Sequence, residues 1–171
     1  MSGPPERTPD GRYLVIDGRR WRASDPHIPE PLRAELVDEL MAARRAVRAA
    51  AGDEVAVRAA RHRVQDAKVA LGERGAPWWE PPGEGLDERL AAAVRALLRH
   101  RDPDKTICPS DAARVVGGTS WRALMDLARE VAQGLAGDGV IVIRQHGSDV
   151  DLATAVGPVR LARGRRWEHR P

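Results

Sequence analysis

Arginine is the residue type that could give this sequence a binding function. Lys68 and Lys105 are the only lysines, and the other cations among Lys and Arg are arginines. A guanidinium holds phosphate through a planar fork of donors and stacks on bases. The clearest single-signed stretch lies at the C-terminal end, where Glu168 is the one acid and Trp167 lies among the cations. Its arginines are Arg160, Arg163, Arg165, Arg166 and Arg170. The stretch predicts sequence-independent nucleic-acid binding, and a solubilising tail is the alternative interpretation.

A second basic cluster is predicted where two helices meet in an antiparallel hairpin. The end of the first helix and the start of the second bring six arginines around the tip, and Asp53 and Glu54 offset part of that charge. The six are Arg44, Arg45, Arg48, Arg58, Arg61 and Arg63. Two interpretations are open: a phosphate-binding or partner-binding surface, or charges that compensate helix dipoles on a solvated tip.

A third group of arginines lies on the helix that would read bases in a helix-turn-helix unit. Arg122 and Arg129 fall on its predicted outward face with Asp126 and Glu130, and Arg122 and Asp126 are spaced to pair with one another. The next predicted strand contributes Arg144. The face is interpreted either as a mixed solvated surface or as one that contacts bases.

Catalytic, metal and cofactor chemistry are not predicted. The five histidines are scattered, and none has a metal-ligand spacing to another or to Cys108. They are His27, His62, His100, His146 and His169. Cys108 is the only cysteine, so it excludes a disulfide framework and is interpreted as a small core residue rather than a thiolate. No nucleophile signature or phosphate loop is present. We expect a protein without enzymatic activity, metal or cofactor.

Composition is consistent with a small folded protein that has a near-neutral charge balance. The chain has 171 residues, is 42% hydrophobic and has a formal net charge of +3. The isoelectric point near 9.7 reflects how few groups titrate between carboxylates and guanidiniums, and does not indicate a strongly basic surface. No apolar run approaches a membrane span and no secretory signal is visible. The sequence predicts a cytoplasmic protein with no membrane partner.

Two structural units position these groups. Prolines and glycines interrupt the helical patterns at residues 75–85. We predict a unit over residues 1–80, a linker over 81–85, a second unit over 86–165 and a basic tail over 166–171.

The first unit is predicted to be a β-hairpin followed by an antiparallel helical hairpin. The turn at Asp17-Gly18 predicts the β-hairpin, which we expect to bring Tyr13, Val15 and Trp21 together. Apolar residues then recur at three- and four-residue spacing in two helices, one over residues 32–47 and one over 57–71. Trp78 and Trp79 follow, and we expect them to pack between the units or to form an exposed interaction site.

Three helices and a hairpin are predicted in the second unit, which is the element order of a winged helix. The third helix begins at a cap on Thr119 or Ser120 and buries a stripe that includes Trp121. A strand over residues 140–145, a turn over 146–149, a returning strand over 150–152 and an extended segment over 159–161 follow. The predicted class is α+β and mainly helical, with a C-terminal winged-helix domain.

Four motifs between residues 86 and 163 resemble those of an uncharacterised family of small bacterial winged-helix domains. They are Thr106-Ile107-Cys108-Pro109-Ser110-Asp111-Ala112-Ala113-Arg114, Trp121-Arg122-Ala123-Leu124-Met125, Gly139-Val140-Ile141 with Gln145-His146-Gly147, and Gly157-Pro158-Val159-Arg160-Leu161. The first unit is similar to uncharacterised bacterial proteins sometimes labelled as Tol-type biopolymer transport proteins. Two motifs carry that similarity, Asp17-Gly18-Arg19-Arg20-Trp21-Arg22 and Pro77-Trp78-Trp79-Glu80.

The function expected from these observations is non-catalytic nucleic-acid binding, with DNA as the partner. The predicted contacts are Arg122, Arg129, Arg144, Arg160, Arg163, Arg165 and Arg166, with the hairpin-tip arginines as a second patch. The alternative is a protein-interaction module that uses the winged-helix surface and the tryptophan pair, because a winged helix does not by itself determine function. Oligomeric state is not predicted by any feature of the sequence.

Overall fold

The computed structural model describes residues 3–168, and about half of the chain is helical. Helices and two small antiparallel sheets give a mixed α+β architecture, as predicted. The strands are β1 (Glu6–Arg7), β2 (Tyr13–Ile16), β3 (Arg19–Arg22), β4 (Ile141–Gln145), β5 (Ser148–Asp149) and β6 (Arg160–Arg163). The helices are α1 (Glu30–Ala49), α2 (Glu54–Ala70), α3 (Leu86–His100), α4 (Pro109–Gly117) and α5 (Met125–Gly137), with a 3-10 segment at Gly118–Leu124.

The N-terminal sheet has the order β1-β2-β3, and the predicted hairpin turn is confirmed. Both turn residues have positive φ, 50° at Asp17 and 74° at Gly18, as a two-residue type I′ turn requires. The prediction that Tyr13, Val15 and Trp21 cluster together is wrong. Trp21 pairs with Leu14, and because successive side chains alternate between faces, Trp21 lies on the opposite face from Tyr13 and Val15.

The predicted antiparallel helical hairpin is confirmed in α1 and α2. Its inner face includes Leu36 and Ala43 from α1 and Ala67 from α2, all fully buried. Asp53 caps α2, since its carboxylate accepts hydrogen bonds from the backbone N–H groups of Val55 and Ala56 at 3.0 Å each. The cap fixes the short connection that reverses the chain between the two helices.

The predicted third helix of the C-terminal half is divided in two. Residues from Gly118 to Leu124 form 3-10 turns, and the α-helix begins only at Met125. Gly118 has a φ of 52°, and a Cβ there would lie 3.0 Å from the backbone oxygen of His27. Only glycine therefore fits this close approach, and the chain leaves α4 through a tight turn. The predicted inward stripe is confirmed, because Trp121 packs against the core and Leu135 is buried.

The C-terminal sheet has the order β5-β4-β6, with both neighbouring pairs antiparallel. The turn predicted over residues 146–149 contains only His146 and Gly147, whose φ values are 51° and 80°. The returning strand is therefore Ser148–Asp149 rather than residues 150–152, because a two-residue turn places Ser148 directly opposite Gln145. The extended segment predicted at 159–161 corresponds to β6.

One cluster of buried side chains connects elements from both predicted units. It includes Leu36 of α1, Leu97 of α3, Val115 of α4 and Leu161 of β6. The predicted division of the chain at residues 81–85 falls in the connection between α2 and α3, and it stays a prediction. In the described part of the chain, no helix has both the length and the apolar character needed to cross a bilayer.

Candidate functional site

Arg163 caps the C-terminal end of α3, although it was predicted to contact phosphate. Its Nη2 donates to the carbonyl oxygens of Leu98 at 2.8 Å and Arg101 at 2.9 Å. These carbonyls belong to the end of α3, where helical backbone acceptors lack intrahelical partners. Most of the donor capacity of this guanidinium is therefore directed into the fold rather than towards a ligand.

Two further predicted contacts also form bonds within the chain. Arg160 donates from Nε to the Thr106 hydroxyl at 2.9 Å and from Nη2 to the Thr106 carbonyl at 3.0 Å. Arg144 donates from Nε to the Asp149 carboxylate at 3.1 Å across the β4–β5 hairpin. Arg165 and Arg166 are exposed. Of the basic tail predicted over 166–171, residues 169–171, with Arg170, lie outside the described residues.

Trp167 is part of the core instead of an exposed ring. It is 8% exposed, and the guanidinium carbons of Arg99 and Arg163 lie 5.0 and 5.3 Å from the ring centroid. Burial lowers the pKa of the Arg99 guanidinium in this setting. The ring is covered by the protein itself, so the aromatic residue of the predicted basic tail is not an exposed ligand contact.

The 3-10 segment and α5 carry a mixed set of charges. Arg122 and Arg114 both lie over the Trp121 ring, at 4.6 and 4.7 Å from its centroid. The predicted ion pair between Arg122 and Asp126 is absent from the described structure, and the aromatic contact is found in its place. Arg129 is half-buried. The two guanidiniums around Trp121 make a small cationic surface that includes one residue, Arg114, that was not predicted.

The basic groove is a depression of about 660 Å³ along the helical hairpin. It runs from Arg48 near the tip to Arg74 beyond the end of α2. No carboxylate is among the residues that line it: Arg44, Val47, Arg48, Arg61, His62, Val64, Gln65 and Arg74. A groove with four guanidiniums and no acid is a favourable place for a series of phosphates.

The basic groove contains half of the predicted hairpin-tip patch. Arg44, Arg48 and Arg61 line it, whereas Arg58 borders a different cavity and Arg45 is exposed elsewhere on α1. Arg63 instead donates to both carboxylate oxygens of Glu39, at 2.8 and 2.9 Å, and Glu39 is 2% exposed. That hydrogen bonding raises the pKa of the Arg63 guanidinium. Sequence reasoning missed Arg74, which turns back so that its guanidinium donates to Gln65.

Buried and half-buried carboxylates explain why other arginines do not form a binding surface. Asp25 forms an ion pair with Arg89 at 2.9 Å. Asp66 accepts two hydrogen bonds from Arg95, at 2.9 and 3.1 Å. Glu35 pairs with Arg101 in the same way, which raises the pKa of that guanidinium. Each pair joins different elements of the fold. The arginines left for an external anion are therefore concentrated in fewer places than the sequence suggests.

Trp78 and Trp79 pack against the N-terminal hairpin. The Trp78 indole N–H donates to the backbone carbonyl of Ala23 at 3.0 Å, and the two indole rings meet edge to face at 5.2 Å. The Trp79 ring lies 5.5 Å from the Tyr13 ring and within 5.5 Å of the Arg12 and Arg22 guanidiniums. Both tryptophans are half-buried. These contacts join the connection after α2 to the hairpin of the same predicted unit.

The histidines and the cysteine within residues 3–168 take part in no metal-binding cluster. No three His, Cys, Asp or Glu side chains there lie close enough together to hold a metal ion. Cys108 is half-buried at the start of α4, where its backbone N–H donates to the Asp111 carboxylate at 3.0 Å. His27 contacts Asp25 from its own loop, with Nδ1 2.9 Å from the carboxylate.

Residues 87–164 match a family described as "Protein of unknown function (DUF3253)". The match covers nearly all of the predicted second unit and confirms a domain of unknown function there. No curated protein matches the sequence. The description of the family mentions neither a winged helix nor a transport protein, so both parts of the sequence-based resemblance stay predictions.

Proposed function

We propose that this protein binds nucleic acid without catalysing a reaction, that its ligand is duplex DNA, and that the basic groove makes its main phosphate contacts. The observation that carries the proposal is the set of four groove arginines with no carboxylate among the lining residues. Phosphate neutralisation by arginine releases counterions, and this supplies most of the sequence-independent affinity for DNA. A net charge of only +3 makes such a local concentration more important than the overall charge.

We also propose that residues 86–163 form a winged helix. The supporting features are the order α3, α4, 3-10 segment and α5, followed by the antiparallel β4–β5 hairpin and β6. Ile107, between α3 and α4, exchanges two backbone hydrogen bonds with Leu161 of β6, at 3.0 and 2.8 Å. In this arrangement the 3-10 segment with Arg122 and α5 with Arg129 approach the major groove, and the hairpin with Arg144 lies near the DNA backbone.

A protein-interaction role centred on Trp78 and Trp79 has less support. Both rings have partners within the chain, and the Trp78 indole N–H is already donated to Ala23. The half-buried pair leaves little ring surface for a partner. We therefore place DNA binding ahead of that alternative.

The proposal is tested by fluorescence anisotropy of a labelled duplex of about 20 base pairs at low salt. The full chain is expected to bind, and the double variant Arg48→Glu/Arg61→Glu is expected to bind at least about tenfold more weakly, because two phosphate contacts become repulsive. The matched control is Arg7→Glu/Arg20→Glu, which reverses two exposed arginines of the N-terminal sheet. Equal affinities for the two double variants, or no binding by the unaltered protein, would contradict the proposal.

Charge substitution is preferable to truncation for this test. Deleting the chain after Leu161 removes Arg163 and Trp167 together with the basic tail. Arg163 donates hydrogen bonds to backbone carbonyls at the end of α3, and Trp167 is buried in the core. A loss of DNA binding in such a truncated protein would therefore combine unfolding with loss of charge.

A further inference from the structure

An apolar groove of about 720 Å³ lies between the N-terminal hairpin and α1. Its apolar lining consists of Leu14, Ile16, Trp21, Val37, Leu40 and Met41. Three of these side chains are unusually exposed, at 43% for Ile16, 48% for Trp21 and 37% for Met41. They are three of the five large hydrophobic residues that are exposed within residues 3–168. Such a concentration of exposed apolar groups marks an interaction surface.

The rim of the apolar groove is positively charged. Arg19, Arg44 and Lys68 line it, and none of the three forms an ion pair in the described part of the chain. The acids of the rim are Asp17, in the hairpin turn, and Glu73, which already accepts a hydrogen bond from the Ser24 hydroxyl at 2.8 Å. With Arg22, which also lines the groove, the rim has four cations against these two carboxylates, so its net charge is positive.

Lys68 shows how these cations affect one another. Its Nζ lies 5.6 Å from the centre of the Trp21 ring. Burial lowers the pKa of the Lys68 ammonium, Glu73 acts in the opposite direction, and Arg74 and Arg44 lower the pKa further. The ammonium is thus partly removed from water and close to like charges. A carboxylate placed over the groove would favour the charged ammonium and so offset both effects.

We propose that the apolar groove binds an acidic peptide segment of a partner protein that carries large apolar side chains. Apolar side chains would cover Ile16, Trp21 and Met41, and carboxylates would meet the cationic rim. A second copy of this chain fits less well, because it would bring the same rim cations against themselves. The large apolar floor also distinguishes this groove from the basic groove, which it meets only at Arg44.

The probe for this proposal is a fluorescein-labelled octapeptide of alternating glutamate and leucine, titrated with the full chain and followed by anisotropy. We expect a dissociation constant in the micromolar range that rises with salt. The same peptide with lysine in place of glutamate is expected to bind at least about tenfold more weakly, since it meets the rim with like charge. Equal affinities for the two peptides, or no binding of the acidic one, would overturn the proposal.

Paired variants locate the site. Trp21→Ala is expected to weaken acidic-peptide binding by roughly 30-fold, in the range of an aromatic hot spot, and Arg19→Glu by about tenfold. The matched controls are Val156→Ala, at an exposed valine outside the groove, and Arg20→Glu, on the opposite face of β3. If the groove variants bind the peptide as tightly as their controls, this site is wrong.

Peptide binding and DNA binding can fail separately. Neither Arg19 nor Trp21 lines the basic groove, and neither Arg48 nor Arg61 lines the apolar groove. Arg19→Glu is therefore expected to retain DNA affinity to within about twofold. The Arg48→Glu/Arg61→Glu variant is expected to retain peptide affinity to the same extent. Loss of both activities in either variant would contradict the assignment of two independent sites.

Discussion

Replacing Asp25 by alanine is expected to lower the free energy of unfolding by about 3–5 kcal/mol. Asp25 is 3% exposed, and its Oδ2 accepts a hydrogen bond from Arg89 Nη2 at 2.9 Å. Arg89 is 8% exposed and also donates to the backbone carbonyl of Ala70 at 3.2 Å. Removing the carboxylate leaves a buried guanidinium without a counter-charge, at the point where the loop before α1, the end of α2 and α3 meet.

Urea denaturation followed by circular dichroism measures this effect. The control is Asp38→Ala, which removes a carboxylate from α1 that forms no ion pair in residues 3–168 and is expected to change stability by less than about 0.5 kcal/mol. The double variant Asp25→Ala/Arg89→Met is expected to be more stable than Asp25→Ala, because it removes the uncompensated charge as well. If Asp25→Ala and Asp38→Ala unfold at the same urea concentration, the ion pair does not have this role.

Replacing Trp167 by alanine is expected to cost about 3–5 kcal/mol of stability, as for other buried aromatic residues. The indole is 8% exposed within the main core cluster, and the Arg99 and Arg163 guanidiniums lie over its ring. Deleting it leaves a cavity and removes two cation–π interactions. DNA affinity, measured on the fraction that remains folded, is expected to stay within about twofold of that of the unaltered protein.

Trp21→Ala provides the comparison for the same substitution at an exposed site. Trp21 is 48% exposed, so its replacement is expected to cost less than half as much in urea denaturation. The opposite pattern for Trp167→Ala, normal stability with a large decrease in DNA affinity, would indicate that Trp167 contacts DNA instead of the core. Comparison of Trp167→Ala with Trp21→Ala thus shows whether Trp167 stabilises the core or contacts DNA.

The helices could be predicted from the sequence because their signals are local. Apolar residues such as Leu32, Leu36 and Leu40 repeat at the helical period and are buried. The turn at Asp17-Gly18 likewise needs only its own two residues. The division of the third helix could not be predicted, because it depends on the close approach of Gly118 to the distant His27.

The candidate site was less predictable than the fold, since the sequence shows where arginines occur but not which of them find partners inside the chain. Glu39 and Arg63 are 24 residues apart, and Arg163 and Leu98 are 65 apart. No local spacing indicates either bond. The arginines of the basic groove stand out only after those internal bonds are known, and Arg74 joins them through a turn beyond α2.

The most direct test of phosphate binding by the basic groove is the salt dependence of the DNA association constant. For the full chain, the logarithm of this constant is expected to fall linearly with the logarithm of the salt concentration. Arg48→Ala/Arg61→Ala is expected to make that slope shallower by about two units, roughly one for each phosphate that the variant no longer neutralises. Arg7→Ala/Arg20→Ala is expected to leave it unchanged. A slope for the groove variant equal to that of the unaltered protein would contradict the central claim.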